Sequence, residues 1–95
     1  MGEVADNLPD RADVVALLRK NNPWVNDASI ALYADAYMDY ATAQANIAKH
    51  GSVVFHPRTG APISNPYIPI RAAASKAIRE IKLIAPGLWL DAKKS

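Results

Sequence analysis

GSVVFHPRTGAPISNP, residues 51–66, interrupts a chain that is otherwise patterned for helix. Gly51 closes the pattern before it, and Asn65-Pro66 opens the pattern after it. Between them, Val53-Val54-Phe55 and Ala61-Pro62-Ile63 flank Pro57-Arg58-Thr59-Gly60. Proline presets φ for the second position of a turn, and glycine accepts a positive φ at its exit. The stretch reads as a short β-hairpin that reverses the chain. Pro62 has no N–H for a ladder, so the second strand is short or an edge.

Upstream of the hairpin the pattern is helical without a break. Asn26 is placed to cap, and Asp27 puts negative charge in the first turn. Ile30, Tyr33, Tyr37, Tyr40 or Ala41, Gln44, and Ile47 or Ala48 recur at steps of three and four, one stripe of a helix running to His50. At ~1.5 Å per residue that helix is on the order of 35 Å long. Gly51 suits its exit. A shorter helix precedes it. Asp10 caps it, Val14, Val15, Leu17 and Leu18 give it an apolar side, and Asn21-Asn22-Pro23 stops it. Trp24 and Val25 then form an apolar elbow, with Trp24 expected as a core anchor.

Downstream, Asn65 caps and Pro66 takes the first helical position. Ile70, Ala74, Ala77 or Ile78, Ile81, Ile84 and Leu88 form the stripe, with Pro86-Gly87 as the expected end or kink. The fold class is mostly α: two long antiparallel helices joined by a short β-hairpin, with a short N-terminal helix. Tyr33, Tyr37, Ile47, Ile70, Ile78 and Ile81 are expected to be mostly buried between the long helices. Met1 to Pro9 reads as a flexible tail and residues 10–95 as a single domain.

Ninety-five residues bury a thin core, which favours self-association. Tyr33 and Tyr37 are placed for core or interface packing. The apolar Leu88-Trp89-Leu90 segment is a candidate docking element. No apolar run approaches the ~20 residues of a membrane helix, and no signal-peptide pattern opens the chain. A soluble, intracellular protein with no membrane partner is expected.

Charge is unevenly distributed. Residues 1–48 hold three basic and seven acidic side chains, net −4, whereas residues 49–95 hold eight basic and two acidic, net +6. Such a split suits a polyanion partner, or pairing of opposite charges within the chain or between subunits. Lys49, Arg58, Arg71, Lys76, Arg79 and Lys82 are the candidate phosphate contacts, and they carry no base specificity of their own.

No catalytic constellation stands out. Cys is absent, which removes disulfides and thiolate metal sites, and His50 and His56 lack metal-ligand spacing. The glycines form no phosphate-cradling loop. No enzyme activity, cofactor or metal is expected.

The order of features is similar to a known family. A long helix ends at a glycine, then come Gly51, Val53 and Val54, a turn glycine at Gly60, and Asn65-Pro66 before an alanine-rich helix. This resembles the small terminase subunit of tailed bacteriophages, in the P-twenty-seven-like branch, over residues 26–85. The resemblance implies a non-enzymatic, ring-forming DNA-packaging adaptor of a phage or a phage satellite, in the host bacterial cytoplasm. Its implied partners are double-stranded viral DNA, further copies of itself and the large terminase subunit, which it regulates. Two other classes fit the residues: a small helical DNA-binding transcriptional regulator, and a helical adaptor that binds protein alone. The acidic Asp27-Asp35-Asp39 face argues against a recognition helix.

Overall fold

The structure is a computed structural model and describes residues 8–87. Five elements follow in chain order: α1 (Arg11–Asn21), α2 (Asp27–His50), β1 (Val53–Phe55), β2 (Pro62–Ser64) and α3 (Tyr67–Ile81). The expected architecture is the observed one. The tail expected over residues 1–9 lies largely outside the described residues, as do Leu88-Trp89-Leu90.

Local chemistry sets each boundary. Asp10 is extended, and its carboxylate accepts from the Ala12 N–H at 3.1 Å to start α1. Arg19 and Lys20 occupy the last turn, where the carbonyl ends of the helix favour cations. Asn26 caps α2 by accepting from the Ser29 N–H at 2.8 Å. Gly51 ends it at φ 84, ψ 178, with its N–H donating to the Ile47 carbonyl at 2.7 Å. A backbone pair of that kind is essentially restricted to glycine.

The hairpin pairs Val53 with Ser64, Val54 with Ile63 and Phe55 with Pro62, antiparallel. The His56 N–H donates to the Ala61 carbonyl, and the Gly60 N–H donates to the His56 carbonyl, both at 2.8 Å. Gly60 stands at φ 73, as the turn chemistry requires. Asn65 then starts α3: its side-chain oxygen accepts from the Tyr67 N–H at 2.9 Å, and Pro66 already has helical angles.

The core is built where all three helices meet. Val14 and Leu18 of α1 pack with Ile30, Tyr33, Ala34, Tyr37 and Ala41 of α2, and Ile78 and Ile81 of α3 close the cluster. Burying a side chain such as Leu18 stabilises by roughly 1.5–3 kcal/mol. Tyr33 and Tyr37 stack one helical turn apart, ring centroids 6.4 Å apart and planes inclined 21°. Of the two settings expected for these tyrosines, the chain itself supplies the core.

Three expectations are corrected. Trp24 is 72% exposed, because it sits at the tip of the α1–α2 turn while Val25 packs against the core in its place. Ile70 is 43% exposed, because it lies near the hairpin end, beyond the reach of the shorter α1. The last helix stops at Ile81, well before Pro86-Gly87. Lys82 adopts the left-handed conformation at φ 58, ψ 50 and redirects the chain toward the α1–α2 turn.

That redirection has a destination. Asn22, 1% exposed, donates from its amide to the Leu18 and Ile84 carbonyls at 3.0 and 2.9 Å. Its carbonyl accepts from the Ile84 N–H at 2.8 Å. Asn21 adds a bond to the Ala85 carbonyl at 2.9 Å. The segment after α3 is thereby fastened across the start of α2.

Candidate nucleic-acid interface

α2 and α3 run antiparallel, so the hairpin marks one end of the molecule and the Asn22–Ile84 junction marks the other. The principal extents are 50 × 29 × 23 Å. Between Asp39 and Glu80 the sequence has no carboxylate, yet it holds Lys49, Arg58, Arg71, Lys76 and Arg79. Folding gathers the first three of these at the hairpin end.

Lys49 lies in the last turn of α2, and Arg58 lies on the exposed turn of the hairpin. The Arg58 backbone is held by its N–H donating to His56 Nδ1 at 3.0 Å, and Thr59 accepts from the Ala61 N–H at 3.2 Å. These local bonds fix the turn and leave the Arg58 side chain directed outward. Arg71, in the second turn of α3, is half-buried and donates to Gln44 Oε1 at 2.8 Å. That bond spans the two long helices.

Asn65 braces the base of the hairpin. It is 1% exposed, donates to Asn46 Oδ1 at 2.9 Å and to the Gly51 carbonyl at 2.8 Å, and its own N–H donates to the Ser52 carbonyl. Every strong hydrogen-bonding atom of its side chain is used, as burial demands. The ribbon that carries Arg58 is thus anchored to the C-terminus of α2. Its apolar side chains remain open: Phe55 is 68% and Val53 56% exposed.

Lys76, Arg79 and Lys82 lie farther along α3, toward the opposite end. Arg79 donates to Ser75 Oγ at 2.8 Å, one turn back on the same helix. The acidic side chains of α2 do not meet these cations within the chain. The ion pairs formed among the described residues are Arg11–Asp35 at 2.7 Å and Arg19–Asp27, both between α1 and α2. Asp39 enters neither. All four side chains are about half exposed or more, so each pair contributes only ~0–1 kcal/mol.

Among the described residues, no group of three or more acidic or histidine side chains comes together to hold a metal ion. No helix there is long and apolar enough to cross a membrane. Sequence reasoning found the cations and missed the polar residues that position them. Asn22 reads only as a helix stop, and Asn65 only as a cap. Their second partners are distant in sequence and leave no local signal.

The sequence model of the family described as phage terminase, small subunit, matches residues 12–83, from α1 to just past α3. The chain belongs to that family. This small terminase subunit therefore has a role in phage DNA packaging. The match spans the helical core, the hairpin and the candidate cations up to Lys82. Neither a curated protein nor a solved structure matches the chain.

Proposed function

We propose that this small terminase subunit is a non-enzymatic adaptor that assembles with copies of itself, engages viral DNA and regulates the large terminase subunit in the host bacterial cytoplasm. Within the family, the P-twenty-seven-like branch is the one whose order of features this chain resembles. The observation that carries the DNA-binding part is the cluster of cations at the hairpin end, from a stretch of sequence, residues 40–79, that supplies no carboxylate. There Lys49, Arg58 and Arg71 face solvent or its edge, and a braced ribbon presents the arginine at the tip.

Phosphate contact is the role this arrangement fits. Clustered exposed cations attract a polyanion, and phosphates carry no sequence information. Binding to duplex DNA with little sequence preference follows. The six expected cations divide into two groups. Lys49, Arg58 and Arg71 form the DNA surface at the hairpin end, while Lys76, Arg79 and Lys82 lie level with or beyond the α2 carboxylates.

Titrating the full chain against labelled duplexes of unrelated sequence tests the reading. Similar affinities that fall together when Arg58 becomes Gln support it. Absence of binding at low salt would remove the DNA role and leave an adaptor that contacts protein alone.

A further inference from the structure

The α2 carboxylates and the α3 cations have no partner in each other within one chain, yet they lie at matching heights. The Arg71–Gln44 bond sets the register of the antiparallel pair. Counting from it, each step forward on α3 is a step back on α2, which brings Lys76 level with Asp39 and Glu80 level with Asp35. The burial of Ala41 and Ala74, and the packing of Ile78 into the cluster that holds Tyr37, agree with the same register. Asp39 and Lys76 are both exposed, each turned away from the contact between the two helices.

We infer that the acidic face of α2 around Asp39 docks on the basic face of α3 around Lys76 of a second copy of this chain. The inference rests on the self-assembly reading above and names the surfaces that it uses. Charge complementarity selects the occupant. The α2 face carries Asp39 and, two turns away, the largely exposed Leu32, and Asp39 has no ion pair among the described residues. The α3 face carries Lys76 and Arg79, with exposed Ala72 and Ala73 one turn away. Alanines there let another helix approach closely. Glu80 falls level with Asp35, whose charge Arg11 already offsets.

Because Asp39 and Lys76 share a height, a second copy in the same orientation can dock without sliding along the helix direction. Its hairpin then projects from the same side, which brings the Lys49, Arg58 and Arg71 of both copies near each other.

Charge reversal with rescue tests this pairing on the full chain. Sedimentation velocity is compared for wild type, Asp39→Lys, Lys76→Asp and the double variant, with circular dichroism to check the helices. Both positions are exposed, so the fold is expected to survive every change. Each single reversal should weaken association by about tenfold or more, and the double variant should restore it. Singles that assemble like wild type, or a double variant that is no better than the singles, would overturn the pairing while leaving self-assembly in place. A wild-type protein that stays monomeric at micromolar concentration would overturn both.

Discussion

Asn22 and Ile84, 62 residues apart, are joined by two hydrogen bonds in opposite directions, the side-chain amide of one satisfying both backbone groups of the other. The arrangement imitates one rung of a β-ladder with a side chain standing in for a strand. It holds the chain after α3 against the α1–α2 turn, and it explains why a lysine tolerates a left-handed conformation at position 82.

Asn22→Ala strands the Ile84 N–H and carbonyl. A loss of about 1–3 kcal/mol is expected, the cost of leaving such groups without partners. Urea titration followed by circular dichroism measures it, and Asn22→Asp, which turns a buried carboxylate oxygen toward the Leu18 and Ile84 carbonyls, should cost at least as much.

Gly51→Ala isolates a backbone effect. Nothing lies within 4 Å of where a Cβ would stand, so no steric neighbour is disturbed. The penalty comes from φ 84 with ψ 178 and should be about 1–3 kcal/mol. A midpoint that moves with an unchanged m-value is the expected signature. A neutral substitution would show that α2 exits by another route.

Leu18→Ala and Trp24→Ala should differ sharply. Leu18 is fully buried, and its truncation should cost about 2–5 kcal/mol. Trp24 is a larger side chain but is mostly exposed, and its removal should stay within about 0.5 kcal/mol. Equal effects in thermal melts would place the indole in the core after all.

Arg58→Gln combined with Arg71→Gln tests the DNA surface by its salt dependence. Each lost phosphate contact lowers the slope of log K against log[salt] by ~0.9, so the pair should flatten it by roughly 1.8. The changes should act alike on duplexes of any sequence. An unaltered slope would take both arginines off the DNA surface.

The sequence disclosed most of the fold because each boundary has a local cause. Asp10, Asn26, Gly51, Gly60 and Asn65 act within four residues of themselves, and all five do in the structure what their chemistry suggests. The failures share one origin: burial depends on neighbours that are remote along the chain. Ile70 satisfies the helical period as well as Ile78 does, yet α1 covers only one of them. Trp24 is apolar and flanked by helices, but nothing in its surroundings predicts which way a turn will face. Lys82 is the extreme case. Its backbone angle is set by the need to deliver Ile84 to Asn22, a demand made from the far side of the molecule.

The cations on the candidate interface were legible as a compositional bias, and their grouping was not. Only the antiparallel register separates Lys49, Arg58 and Arg71 from Lys76, Arg79 and Lys82, and the residue that fixes it, Gln44, looks like any polar helix position.

The length of the molecule also decides how its charge is felt. The formal net charge of +2 suggests near indifference to a polyanion. At physiological ionic strength, however, a charge is screened over ~8 Å, several times less than the 50 Å long dimension. The end opposite the hairpin carries charges of both signs, Arg19, Lys20, Arg79 and Lys82 beside Asp27 and Glu80, and it lies too far away to offset the cations at the hairpin. On the DNA-binding reading, a duplex is therefore attracted most strongly at the hairpin end, which turns the molecule hairpin-first during encounter.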